Sequence, residues 1–195
     1  MHDLSKEDKM KVLLLCGSRN PQGQTARAAG ALVRGAASRG GTTETFYLPQ
    51  MAIERCRQCD ENGWGICRSE GRCVIDDDFA SLMSKMKEAD AIIFATPVYF
   101  ADLSESLRAL LDRVRRIAQH QDNGAGLAGK PAIGVCVAGG GGGGAPRCCL
   151  SLTEILAKIG FDLVDMLPVR RQNLQMKLPL LEQTGAWLLE QAREA

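Results

Sequence analysis

The chain has 195 residues, 45% of them hydrophobic, enough for the core of one α/β domain and too few for two of ordinary size. Lys and Arg number 24 against 23 Asp and Glu, and a formal net charge of +1 provides no global attraction to nucleic acid or to an anionic membrane. The apolar runs fall far short of a membrane span, and the polar N-terminal tail, residues 1–10, has no apolar leader, so a cytoplasmic protein is expected.

Lys11 to Cys16 (KVLLLC) is an apolar run of strand length, followed at once by GSRNPQGQT. Such runs suit parallel strands covered on both faces. Ala26 to Ser38 is alanine-rich and of helical length, and Gly40 and Gly41 end it. Thr43 to Leu48 (TETFYL) reads as a second, more exposed strand. A cysteine-rich insertion, residues 54–75, comes next, and it is longer than an ordinary connection. Asp77 to Glu88 reads as a helix with Phe79, Leu82, Met83 and Met86 on one side. Ala91 to Ala95 is a buried strand ending in TPVYF.

Asp102 followed by Glu105 predicts a helix start of capping-box type, and the stripe Leu103, Leu107, Leu110, Leu111, Val114 and Ile117 continues it. Ile133 to Ala138 is a buried strand that runs into six glycines, Gly139 to Gly144. A helix from Cys148 to Lys158, a strand from Phe161 to Leu167 and a helix from Leu180 to Arg193 complete the chain. Five βα units in a row predict a single domain over residues 1–195, built on a doubly wound parallel sheet.

Of eight cysteines, Cys16 and Cys136 sit in apolar runs and are expected in the core. Cys148 and Cys149 open a helix, where a thiol pKa would fall, though packing is the plainer role. Cys56, Cys59, Cys67 and Cys73 fall in one loop, in a compartment where clustered thiols bind metal or do redox chemistry. Taken alone, the four admit an iron–sulfur cluster, a zinc ion or no metal.

In an open parallel sheet, ligands sit beyond the carboxyl ends of the strands, and three of those ends carry unusual loops. The first, Gly17 to Thr25, offers glycines, the hydroxyls of Ser18 and Thr25, the cation of Arg19 and a following helix N-terminus, the parts of a phosphate cradle without a metal. Gln24 stands where a Walker lysine would be, which excludes that loop type. The second, Thr96, Pro97, Val98, Tyr99 and Phe100, puts two aromatics where they would either wall a planar ring or close the sheet edge as a core pair. The third is the glycine run, with Gly139, Gly140 and Gly141 at its start. It matches a dinucleotide fingerprint only trivially, because too little chain follows for a second nucleotide-binding half.

The ordered set KVLLLCGSRNPQGQT, C-x2-C with further cysteines, IDDDF, ADAIIFATPVYF, LRALLDR and a glycine loop resembles the NAD(P)H-dependent FMN reductases, most closely their iron–sulfur flavoprotein branch. The resemblance implies a flavodoxin-like five-stranded sheet of order 2-1-3-4-5 with bound FMN. By position, Ser18, Arg19, Gln24 and Thr25 would hold the phosphate, Pro97 to Phe100 would border the ring, and Gly139 to Gly141 would line its other side. It further implies a [4Fe–4S] cluster on Cys56, Cys59, Cys67 and Cys73, although in the family the third cysteine follows the second more closely than Cys67 follows Cys59. NAD(P)H would be the co-substrate, a small molecule or a protein the electron acceptor, and a homodimer or homotetramer the assembly. The helix of LRALLDRVRRI and the polar tail RRQNLQMKLP are the candidates for surface that such an assembly covers. A non-enzymatic flavodoxin-type carrier is the alternative, disfavoured by the balanced charge because such carriers are steered by acidic surfaces. A zinc-stabilised binding module is a third reading.

Overall fold

The computed structural model describes residues 9–194, so residues 1–8 of the expected polar tail lie outside it. Strands β1 (Lys11–Cys16), β2 (Thr42–Tyr47), β3 (Ala91–Pro97), β4 (Pro131–Ala138) and β5 (Asp162–Arg170) pair in parallel in the order β2-β1-β3-β4-β5. That is the flavodoxin-like order expected. Between and after them run α1 (Gln24–Ser38), α2 (Ile66–Ser69), α3 (Phe79–Glu88), α4 (Glu105–Ala118), α5 (Asn123–Gly126), α6 (Ala145–Ile159) and α7 (Leu174–Glu194).

The strand side chains alternate between two cores. Leu13, Leu15, Ile92 and Phe94 pack with α3, α4 and α6, while Val12, Leu14, Ile93 and Val135 pack with α1 and α7. Burial on both faces is why the three inner strands read as unbroken apolar runs, and why β2, at an edge, reads as a mixed one. On the second face α1 and α7 approach to backbone contact. A side chain at Gly35 would strike the carbonyl of Glu182, and one at Gly185 would strike that of Leu32.

Four expectations need correction. Helix α4 starts at Glu105 with Ser104 as its N-cap, the Oγ accepting from the Leu107 amide at 3.5 Å. Asp102 instead accepts from the Leu103 amide, pairs with Arg108 at 2.5 Å and exchanges backbone bonds with Tyr99. Helix α7 begins at Leu174, six residues ahead of the expected start, and carries Pro179 within it; the proline forfeits the bond to the Gln175 carbonyl, and packing of α7 against α1 carries the helix through it. The RRQNLQMKLP stretch is therefore no tail, but the end of β5, a tight turn and the start of α7. Finally, Leu107, Leu110, Leu111, Val114 and Ile117 of α4 are buried within the chain itself. Each such side chain contributes about 1.5–3 kcal/mol here, so this helix face is not free for a partner.

Candidate functional site

The carboxyl ends of β1, β3 and β4 meet at one edge of the sheet. Gly17 begins the first loop by donating to the Ala95 carbonyl at 2.8 Å, and the N-terminus of α4 packs so close that any side chain at Gly17 would strike the Ser104 Oγ. Thr96 is buried and holds this junction, accepting from the Ser104 amide and donating to the Pro97 carbonyl, both at 2.9 Å. The Val98 amide donates to the Val137 carbonyl at 3.0 Å and so ties the second loop to the third.

These loops enclose an open cleft of about 630 Å3, lined by Asn20, Gly23, Gln24 and Thr25 on one side, Pro97 to Tyr99 on another, and Val137 to Gly143 on the third. The volume suits a drug-sized or cofactor-sized ligand. Helix α1 opens onto it with Gly23 as N-cap, no side-chain cap and no acidic residue in its first turn. Its first amides thus point at the cleft without a protein acceptor, the arrangement an anion satisfies.

Of the twelve residues expected here, Gln24, Thr25, Pro97, Val98, Tyr99, Gly139, Gly140 and Gly141 line this cleft. Ser18 lies just behind the wall, its hydroxyl accepting from the Asn20 amide at 3.3 Å. Thr96 is in the junction described above, and Arg19 and Phe100 are exposed outside the lining. Tyr99 and Phe100 do not form a core pair: Tyr99 is about half exposed and Phe100 fully so, on a turn where Phe100 and Ala101 have φ of 50° and 64°. Asn20 escaped the sequence reading, which sought glycines, hydroxyls and cations, and Gly23 entered it only as one of the loop's glycines. The Asn20 carboxamide organises the turn by accepting from the Gln22 amide at 2.9 Å.

The glycine run is held by β5 and by the second loop. Arg170 donates to the Gly141 carbonyl and Gln172 to the Gly140 carbonyl, both at 3.3 Å. At Gly144, φ is 84°, and a Cβ there would lie 2.8 Å from both Cα and Cβ of Ala101. The two cleft loops therefore touch through a glycine.

A second, smaller pocket lies beside the middle of α4. Cys56, Cys59, Cys67 and Cys73 all line it, with Arg57, Arg113 and Arg116. The sequence brings the four thiols into one loop; the structure brings them to one cavity. Arg113 organises that loop. Its guanidinium is almost completely buried, pairs with both oxygens of Asp77 at 2.6 and 2.9 Å, donates to the Glu54 carbonyl at 3.1 Å and lies 4.0 Å over the Phe79 ring. Asp77 also accepts from the Glu54 amide at 2.8 Å, and Asp78 from the Ala52 amide at 2.7 Å, so two acids of the IDDDF stretch anchor the start of the insertion. Burial acts to raise the Asp77 pKa, but the Arg113 hydrogen bonds, the Glu54 and Phe79 amides and the Arg113 charge outweigh it and hold the carboxyl below its ordinary range. Arg116 donates to the Gly63 carbonyl at 2.6 Å and stacks on Trp64.

Cys16, Cys136, Cys148 and Cys149 are buried, as their packing role requires. Hydrogen bonds with Cys148 and Cys149, together with burial, push the Cys136 thiol far up, whereas the bond from Cys136 holds Cys149 down against its own burial. Among the described residues, no three or more His, Cys, Asp or Glu side chains stand close enough around a point to hold a single metal ion, and no helix is long and apolar enough to cross a membrane.

The family profile of NADPH-dependent FMN reductases matches residues 10–176, from just before β1 to the start of α7. An iron–sulfur flavoprotein of Methanocaldococcus jannaschii is 37% identical over 133 residues, which are 67% of this chain and 65% of that protein. One of Methanosarcina thermophila is 36% identical over 104 residues, 53% of this chain and 52% of that one. The chain thus spans about half to two thirds of the length of these relatives. The crystal structure of RosB with a bound 8-demethyl-8-formylriboflavin-5'-phosphate superposes with a TM-score of 0.73 at 18% identity, covering 95% of this chain and 79% of RosB, a likeness of fold. With its profile match running through all three cleft loops and the cysteine insertion, the chain belongs to the NADPH-dependent FMN reductase family.

Proposed function

We propose that this chain is an FMN-dependent oxidoreductase that takes electrons from NAD(P)H and passes them to a small-molecule or protein acceptor. The observation that carries the reading is the uncapped N-terminus of α1 opening onto the same cleft as the Pro97–Tyr99 turn and the glycine run. One anion site and one pair of walls on the same cleft fit a mononucleotide with a flat ring, and no second nucleotide half is present among the described residues. In this reading the amides of Gln24 and Thr25 and the Thr25 hydroxyl hold the phosphate, with Ser18 stiffening the loop and Arg19 adding positive charge. Thr96, Pro97, Val98 and Tyr99 border one side of the ring. Gly139, Gly140 and Gly141 bring backbone up to the other, where no side chain stands in the way. Phe100 stands at the rim, where a nicotinamide or an acceptor would arrive.

The cysteine pocket is read as the seat of a [4Fe–4S] cluster on Cys56, Cys59, Cys67 and Cys73. Four thiols lining one cavity support this, as do the iron–sulfur names of the relatives. A cluster gives each thiolate its own iron and so suits a wider set of sulfurs than one tetrahedral zinc does. Bound in their places, FMN supplies hydride and one-electron chemistry and the cluster one-electron chemistry. The polypeptide supplies position, charge and exclusion of water, and no side chain is needed as acid or base. A homodimer or homotetramer is the expected assembly, read by light scattering.

The test is purification without oxygen, heat release of the chromophore for mass spectrometry, and steady-state NADPH and NADH oxidation with a quinone acceptor. FMN with turnover supports the reading. FAD or no flavin overturns it, and FMN without turnover moves the chain to the non-enzymatic carrier.

A further inference from the structure

We propose that Arg113 sets the reduction equilibrium of the group held in the cysteine pocket, acting through Cys73, with Asp77 as its counterweight. This rests on the cluster reading above and adds to it a residue that controls where electrons settle.

Of the three arginines lining the pocket, Arg57 is exposed and paired with Glu54, and Arg116 is committed to the Gly63 carbonyl and Trp64. Arg113 is the buried one, with a side chain 1% exposed. Asp77 occupies its Nη1–Nη2 edge, and the Glu54 carbonyl takes a further Nη1 proton. Its Nε is buried and has no acceptor. A buried guanidinium N–H without a partner is costly in an interior and calls for an explanation. The Cys73 sulfur lines the same pocket as this guanidinium; burial acts to lower the Arg113 pKa, and Cys73, as a hydrogen-bonding and charged neighbour, pushes it up against that effect. A cluster-bound thiolate is an acceptor and carries negative charge, so it completes the set that the polypeptide leaves open.

The consequence follows from charge alone. A cluster bound by four thiolates is an anion that gains one further negative charge on reduction. The step is the uptake of one electron from a reduced flavin or a redox mediator, with no bond made or broken. A fixed cation against one sulfur favours the reduced form, and hydrogen bonds to cluster sulfurs raise the potential in the same sense. Low exposure keeps water from screening the effect. Asp77, on the far edge of the guanidinium, damps it. The two residues therefore predict opposite shifts when each is neutralised.

The experiment is mediator-equilibrated redox titration of the cluster, followed by its visible absorbance and electron spin resonance, in the intact protein and in R113Q, R113K and D77N. Iron, acid-labile sulfide and flavin are counted in each preparation. R113Q is expected to move the equilibrium at least tenfold toward the oxidised form, about 59 mV downward for one electron. R113K, which keeps the charge, moves less, and D77N moves upward. A merely structural arginine would lower the cluster content and leave the midpoint of the retained cluster where it was. If R113Q does not fold, R113K and D77N still decide, because the upward shift in D77N has no structural counterpart. Coincident midpoints in iron-loaded variants overturn this proposal and leave the cluster reading standing. Neither iron nor sulfide in the unaltered protein overturns the cluster reading, and this proposal with it.

Discussion

Gly144 and Gly143 are neighbours in a run of identical residues, yet the structure assigns them opposite tolerances. At Gly144, φ of 84° puts the backbone in the left-handed region, where a side chain costs about 1–2 kcal/mol. The added methyl would also stand 2.8 Å from Cα of Ala101, which is backbone and cannot swing aside, and overpacking of that kind costs about 1–3 kcal/mol more. Gly144→Ala should therefore lose about 2–5 kcal/mol in flavin-free protein, and a chain of this size loses about 2–4 °C in Tm for each of those. At Gly143 nothing lies within 4 Å of the added atom and φ is not positive, so Gly143→Ala should be neutral or gain about 0.4–1 kcal/mol through the unfolded state. Thermal and urea unfolding of the two variants side by side make the measurement. Equal destabilisation would mean that the run acts by general flexibility, and the contact between the glycine run and the Ala101 turn would lose its meaning.

Thr25→Val keeps the shape of the first turn of α1 while removing the hydroxyl of a cleft-lining residue; if that hydroxyl binds the phosphate, flavin retention measured by fluorescence titration should fall by about 1.5–3 kcal/mol, and an unchanged Kd would remove Thr25 from the cradle. Asp77→Asn should cost about 3–5 kcal/mol near neutrality, since it leaves Arg113 buried without its counter-charge. Because the Asp77 carboxyl is held below its ordinary value of 3.8, its contribution is complete above that pH and fades as acid titrates it through the lower folded value. The stability gap between native protein and variant should thus be level from pH 7 to about 5 and close below about 4. A gap that persists unchanged at pH 3 would show that the carboxylate charge is not what Arg113 needs.

The parts of this fold legible in sequence are those fixed by local chemistry. KVLLLC, AIIFA and IGVCVA announce buried strands because both of their faces are covered, and the loop after each strand announces itself through residues that no core would keep. What escaped depended on distant partners. Asp102 and Ser104 are equally good caps on paper; Gly17, 87 residues earlier in the chain, and Thr96 settle the matter by seating Ser104 against β1 and β3. In LRALLDRVRRI the leucines gave the buried stripe correctly, whereas Arg113 reads as one more solvated charge until Asp77, 36 residues away, is brought beneath it. The last helix is expected from Leu180, and the packing of α7 against α1 extends it back through Pro179 to Leu174.

The glycine-to-backbone clasp between α1 and α7 has a consequence for the order in which the molecule can be assembled. The helix whose first turn faces the cleft begins at Gln24, but the surface that braces it, Glu182 to Leu189, is synthesised long after it. Until then Ala28, Ala29 and Leu32 have no cover on their outer side. The nascent chain can pair β1 with β3 and add β4 while α1 is still loosely held, so a competent anion cradle depends on α7 and not on the preceding segments alone. A ligand would then be held well only once α7 has been made, and a chain cut short before Gly185 would carry every cleft residue and still hold the ligand poorly.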